Sequence, residues 1–282
     1  MKLLRYGEAG KERPGLLDAD GCIRDLSAHV RDIRPDMLSP EILTALAAID
    51  PGTLPLVKGT PRMGVPVSGV RKFLAIGLNY VDHAKESGAA IPDEPILFTK
   101  AINCLQGPND DVMLPRDSQH SDWEVELGIV IGTTARYVSP DEALDHVAGY
   151  VLVNDVSERE YQLRRGGSWD KGKGCETFGP VGPWLVTTDE LPDPQAISLR
   201  LEVNGVRHQD GNTANMIFDV KTLVSYVSSF MVLEPGDIIT TGTPAGVGMG
   251  LKPDPVFLRP GDVMTLQSDQ LGSQQQTVIA WR

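Results

Sequence analysis

Two glutamates stand two residues apart in Asp122-Trp123-Glu124-Val125-Glu126-Leu127-Gly128-Ile129-Val130-Ile131, a run otherwise dominated by strand-forming residues. Alternate side chains share one face of a strand, so Glu124 and Glu126 point one way while Val125, Leu127, Ile129 and Ile131 point the other. Neighbouring carboxylates repel, and burial raises the cost, unless a cation sits between them. Hard oxygen donors select Mg²⁺, Mn²⁺ or Ca²⁺ over softer metals. The same E-x-E pattern also describes the solvated outer face of an antiparallel strand. A third carboxylate, Asp155, ends the apolar run Val151-Leu152-Val153-Asn154. It is placed either to complete a ligand set or to start an ordinary turn. Three carboxylates would leave about three octahedral positions for water or a chelating substrate.

A second group lies in Gly77-Leu78-Asn79-Tyr80-Val81-Asp82-His83-Ala84-Lys85-Glu86. On a helix, His83 and Glu86 at i and i+3 share a face, and a carboxylate beside an imidazole orients it and raises its basicity. That describes a general base; a solvated ion pair on a surface turn, or metal ligation by His83, fits the same residues. Two Gly-rich segments follow, Gly172-Lys173-Gly174 and Thr241-Gly242-Thr243-Pro244-Ala245-Gly246-Val247-Gly248. They let backbone approach a ligand closely, with Thr241 or Thr243 offering donors to a carboxylate and Lys173 a cation to an oxyanion, or they are flexible turns. Neither matches a phosphate loop or a dinucleotide fingerprint, so no nucleotide cofactor is expected.

The elements that must hold these residues are mostly short strands. Residues 1–65 read as a small α+β unit: a strand at Lys2 to Tyr6, a hairpin of Gly15 to Leu17 and Cys22 to Leu26 turned at Asp20-Gly21, then a helix capped by Ser39 with Pro40 in its first turn. The Pro- and Gly-rich stretch from Pro51 to Pro66 breaks all periodicity and marks the boundary with a larger unit, 66–282. There, strands are expected at Lys72 to Ile76, Val125 to Ile131, Tyr150 to Val153, Trp184 to Thr187, Leu199 to Val203, Asp237 to Thr241 and Asp262 to Leu266. Helices are expected after the capping box Ser139-Pro140-Asp141-Glu142 and over Asn215 to Met231. Strands and helices do not alternate regularly, which favours a β-rich α+β architecture over a doubly wound sheet.

Composition narrows the partners. A net charge of -12 over 282 residues, with no dense basic run, argues against nucleic acid. No apolar stretch approaches the roughly 20 residues of a membrane helix, and Met1 to Gly10 has no apolar signal core, so a cytoplasmic location is expected. Cys22, Cys104 and Cys175 are odd in number and widely spaced, and are expected as free thiols.

Taken together, these residues resemble the fumarylacetoacetate hydrolase family from about Lys72 onward. The resemblance rests on G-x-N-Y-x-x-H-x-x-E at Gly77 to Glu86, D-W-E-x-E-L-G at Asp122 to Gly128, Asn154-Asp155, the Lys173 segment, and T-G-T-P-x-G-V-G at Thr241 to Gly248. It implies a mixed β-roll-like catalytic domain and a homodimer. It places Mg²⁺ or Mn²⁺ on Glu124, Glu126 and Asp155, and a catalytic His83 and Glu86 on a mobile lid. Substrate contacts are carried onto Arg159, Gln162, Lys173 and Thr243, with Tyr80 and Gly242 of the matched motifs. The N-terminal unit and the run Gly166 to Cys175 look most like bacterial members acting on 2,4-diketo-3-deoxy sugar acids of the rhamnonate and fuconate type, some labelled ureidoglycolate lyases; Gly174 stands where many members carry Ser. The expected reaction is metal-dependent hydrolysis of the C3–C4 bond of such a 2-oxo acid, with His83 as base and Lys173 stabilising the oxyanion. Oxaloacetate decarboxylation, dioic-acid isomerisation, ureidoglycolate cleavage and a non-catalytic sugar-acid-binding module are the rival readings.

Overall fold

The computed structural model describes all 282 residues. A nine-stranded mixed sheet runs in the order Ile23–Asp25, Arg13–Leu17, Lys2–Tyr6, Leu185–Thr187, Val147–Asn154, Val125–Ile131, Ile238–Thr240, Phe73–Gly77, Ile96–Lys100. A five-stranded sheet pairs Val206–Asn212, Ser198–Val203, Val263–Ser268, Gly272–Ile279 and Val112–Met113 in that order. The fold is the β-rich α+β class that the irregular order of strand and helix signals predicts.

Val125–Ile131 and Val147–Asn154 lie at the centre and are buried along their whole length. Burial on both faces explains why they read as unbroken apolar runs, and it makes truncating Leu127 or Ile129 to Ala a loss of about 2–5 kcal/mol. Both belong to one apolar cluster of 53 buried residues that takes in Leu16 and Leu26 from the N-terminal unit, Leu199 and Leu266 from the second sheet, and Val224 and Val227 from the helix Val220–Ser228. Residues 1–65 join the larger unit through the main sheet, Lys2 opposite Val186 and Leu3 opposite Leu185. The helix Pro40–Ala47 begins as its cap predicts, with the Ser39 hydroxyl accepting from the Ile42 N–H.

Two helices differ from expectation. The Ser139 and Glu142 side chains do bond, at 2.7 Å, but the chain then makes only one 3₁₀ turn, Ala143–His146, before entering the central strand. The helix expected from Asn215 to Met231 spans Val220–Ser228 only. Asn79 takes the N–H groups of Ile217 and Phe218, both at 2.8 Å, which holds that segment outside the helix, and Asp219 supplies the cap by accepting from the Thr222 N–H at 2.9 Å. The three cysteines are free. No helix is long and apolar enough to cross a membrane.

Candidate active site

The two central strands assemble the carboxylates. Their register sets Val153 opposite Glu126 and Asn154 opposite Val125, and the Asp155 N–H bonds the Glu124 carbonyl at 2.9 Å. Residues far apart in sequence thereby meet: oxygens of Glu124, Glu126 and Asp155 lie within 4.8 Å of one another, and all three side chains are buried. The solvated-face reading of Glu124 and Glu126 is excluded.

Their partners differ. Glu124 contacts Arg159 Nη1 through Oε1 and Lys173 Nζ through Oε2, each at 2.7 Å. Asp155 contacts Lys100 Nζ at 2.6 Å through Oδ1 and Lys173 Nζ at 2.7 Å through Oδ2. Glu126 has no cation: one oxygen accepts from the Thr240 hydroxyl and from the Gly242 N–H at 2.8 Å. Burial, followed by repulsion from Asp155 and Glu124, pushes its carboxyl well above the usual range. Burial pushes Glu124 upward too, yet Lys173 and Arg159 outweigh it and hold that carboxyl far below the usual range. Three hard oxygen donors, one of them lacking any cationic partner, suit a divalent ion such as Mg²⁺ or Mn²⁺.

Lys173 reaches this cluster from a four-residue helix, Asp170–Lys173. That helix fits because Gly172 has no side chain; a Cβ there would meet the Glu158 carbonyl oxygen at 2.3 Å. Arg159 and Gln162 come from the neighbouring helix Arg159–Arg164, with Arg159 Nη1 donating to Gln162 Oε1 at 3.1 Å and Nε to Asp122 Oδ2 at 2.8 Å. Asp122 also accepts from the N–H groups of Gly248 and Met249, at 2.7 and 3.0 Å, tying the second Gly-rich segment to Arg159.

His83 sits on the helix Val81–Ser87, closed by Gly88 in the left-handed region at φ 66°. Its Nδ1 is 3.3 Å from Glu86 Oε2, and Glu86 is itself held by the Gly246 N–H at 3.0 and 3.1 Å from its two oxygens. A cavity of about 160 Å³ brings His83 together with Glu124, Glu126, Arg159, Gln162, Lys173, Gly242 and Thr243. The phenyl ring of Phe98 and the indole of Trp169 form part of its wall, packed edge to face with centroids 5.2 Å apart.

Other predicted contacts are not available to a ligand in the way their residue types promised. Tyr80 is fully buried away from the cavity, its hydroxyl without a partner, and burial, then the charge of Glu126, pushes its phenol well up. The Thr243 hydroxyl donates to the Val125 carbonyl at 2.9 Å and accepts from Gln209 at 2.7 Å, and the Thr241 hydroxyl donates to Leu127 at 3.0 Å. The Gly242 N–H is spent on Glu126. Glu86 stands behind His83 rather than on the cavity wall. Sequence reasoning missed Lys100 and Thr240. Lys100 had one signal, a charged residue closing the apolar strand Ile96-Leu97-Phe98-Thr99-Lys100; Thr240 had none.

Residues 72–279, the span that carries every one of these groups, match the family model described as fumarylacetoacetate (FAA) hydrolase, C-terminal. The chain belongs to the fumarylacetoacetate hydrolase family. A Burkholderia ambifaria relative, whose name calls it a hydrolase provisionally and gives no substrate, is 60% identical over 277 residues, 98% of each chain. Among solved structures, a fumarylacetoacetate hydrolase from psychrophilic Exiguobacterium antarcticum is 37% identical over 100% of both chains, with a TM-score of 0.89. A maleylpyruvate hydrolase from Sphingobium sp. SYK-6, in complex with manganese(II) and pyruvate, is 30% identical over 100% of both, with a TM-score of 0.82. The similarity to these two structures extends over the whole chain, the residues before the family-model match included.

Proposed function

We propose that this protein is a metal-dependent hydrolase that cleaves the C3–C4 bond of a 2,4-dioxo acid, releasing pyruvate and a second carboxylic acid. One observation carries the reading: His83, backed by Glu86, faces the same small cavity as Glu124 and Glu126 of the carboxylate trio, and cationic Arg159 and Lys173 line that cavity with them. The manganese and pyruvate of the similar maleylpyruvate hydrolase support it. The resemblance of the Gly166 to Cys175 run supports a 2,4-diketo-3-deoxy sugar acid as substrate, with lactate as the second acid for a deoxyhexonate. A homodimer in the cytoplasm belongs to the same proposal.

Glu124, Glu126 and Asp155 would hold Mg²⁺ or Mn²⁺, which when bound supplies Lewis-acid stabilisation to the substrate oxygen that gains charge. With Nδ1 directed at Glu86, His83 keeps Nε2 to take a proton from water as the water oxygen bonds to C4. The C3–C4 bond then breaks, its electron pair passes to C3 and the C2 oxygen, and a proton returned to C3 completes pyruvate. Arg159 and Lys173 contribute positive charge for the substrate carboxylate and for the oxyanion at C4.

The test is product release from a panel of 2,4-dioxo acids, 3-deoxy sugar acids, oxaloacetate, an unsaturated 2-oxo dioic acid and ureidoglycolate, after chelator treatment and with Mg²⁺ or Mn²⁺ restored. Metal-dependent pyruvate with an equivalent of a second acid supports the hydrolase. Pyruvate from oxaloacetate alone moves the assignment to decarboxylation, and conversion without pyruvate moves it to isomerisation or, with glyoxylate, to ureidoglycolate cleavage. Glu124→Ala should lose metal binding and turnover together.

A further inference from the structure

Lys100 is an ammonium ion in a place that neither water nor substrate reaches. It closes the strand Ile96–Lys100, its side chain is 0% exposed, and it contributes nothing to the cavity wall. Three acceptors surround Nζ: Asp155 Oδ1 at 2.6 Å, the Lys173 carbonyl at 2.5 Å and the Val156 carbonyl at 3.4 Å. The ring of Phe73 lies 5.8 Å from it. An ammonium has three donors, so the set is complete and the charge is fixed in position. Lys173 differs: it also touches Asp155, but it lines the cavity.

Two consequences follow from this cage. Asp155 has one oxygen committed to Lys100, so only Oδ2, which Lys173 contacts at 2.7 Å, is left to face a metal. A permanent positive charge is also held against a ligand carboxylate, where it repels any divalent ion that the trio admits, and burial screens that repulsion weakly. The same ammonium grips the backbone of Lys173, so the orientation of that side chain depends on it.

We propose that Lys100 is a positioning residue with two opposed effects: it weakens the hold of the carboxylate trio on a divalent ion, and it fixes Asp155 and Lys173 in the geometry that turnover needs. The inference rests on the metal site proposed above. Its signature is a split that a merely structural residue would not give, with metal binding and turnover moving in opposite directions.

The experiment titrates Mn²⁺ into the chelator-treated full-length protein, following free Mn²⁺ by its paramagnetic resonance signal, and measures kcat and KM for pyruvate release at saturating Mn²⁺. Lys100→Met removes both charge and donors; Lys100→Gln removes the charge and keeps donors for Asp155. Both variants should bind Mn²⁺ at least tenfold more tightly than the wild type, while kcat falls at least tenfold with a smaller change in KM. If Lys100→Met does not fold, Lys100→Gln decides the question. Mn²⁺ affinity unchanged or weakened in the folded variants overturns the proposal, as does tighter binding with kcat intact. Wild-type protein that binds no Mn²⁺ overturns the metal reading and this inference with it. Wild type that binds Mn²⁺ but yields no pyruvate sinks the hydrolase reading alone; the Mn²⁺ comparison, with kcat read on whichever panel substrate the wild type converts, then decides Lys100.

Discussion

At the scale of single residues, the site is governed by how three cations, one hydroxyl and one backbone N–H are shared among three buried acids. Glu124 and Asp155 are each served by two cations, whereas Glu126 has only neutral donors. Lys173 bridges the first two, so removing its charge leaves both short of compensation. Lys173→Met should therefore cost about 3–5 kcal/mol of stability in chelator-treated protein, the usual penalty for breaking a buried ion pair. Added Mn²⁺ should recover part of that loss, as read by urea denaturation with and without the ion. His83 predicts the opposite pattern: His83→Gln should lower kcat by about 10²–10⁴-fold while Mn²⁺ binding stays as in wild type. Loss of Mn²⁺ binding in His83→Gln would make the imidazole a ligand instead. Glu124, Glu126 and His83 were legible because their spacing is local, two residues or three, whereas Asp155 was marked only by its place at the end of an apolar run. Lys100 was not, because its meaning comes from Asp155 and Lys173, 55 and 73 positions away.

At the scale of elements, the helix Val81–Ser87 has its Glu86 side chain anchored by one backbone N–H. Gly246 has φ +106° and donates to both oxygens of Glu86, and a Cβ placed on it would meet the His208 carbonyl oxygen at 1.9 Å. Gly246→Ala should displace that N–H from Glu86, free the His83 pair, and lower kcat more than Mn²⁺ affinity; unchanged kcat would show that the latch is not used. Elsewhere, Asp32 binds Arg5 of the first strand at 2.6 Å and the Ser68 hydroxyl at 2.7 Å. Burial alone would raise its carboxyl, but Arg5 and Ser68 prevail and hold it below the usual range. A depressed folded value means that the stabilisation is fully present above the unfolded value of about 3.9 and is lost as pH falls through the folded one. Asp32→Asn should thus destabilise the protein near neutrality, and melts of the two proteins should converge below about pH 4. The helix start that sequence misplaced has a distant cause: Asn79 captures Ile217 and Phe218, the latter from 139 residues away, a competition that local periodicity cannot register.

At the scale of the whole molecule, the Pro- and Gly-rich stretch after Pro51 marks a change of texture in the sequence, yet hydrogen bonding runs across it. Three strands of residues 1–65 extend the main sheet beyond Leu185–Thr187, and Leu3, Leu16 and Leu26 enter the common apolar cluster. A chain beginning at residue 66 should expose that strand and apolar surface together, and size-exclusion chromatography should find it aggregated; a monodisperse, folded product would show that the larger unit stands alone. β-rich class and the central strands were readable from β-branched runs, whereas strand order was not, since it is set by pairings between distant segments. The far edge of the sheet carries a last consequence. Thr99, on the terminal strand Ile96–Lys100, gives its N–H and hydroxyl to Asp170, at 3.0 and 2.8 Å, so the short helix that delivers Lys173 also occupies the open side of that strand. Sequence drift in this segment is therefore constrained twice, once by chemistry and once by colloidal behaviour, and a variant that loosened it would reveal itself as turbidity on storage before any assay reported it.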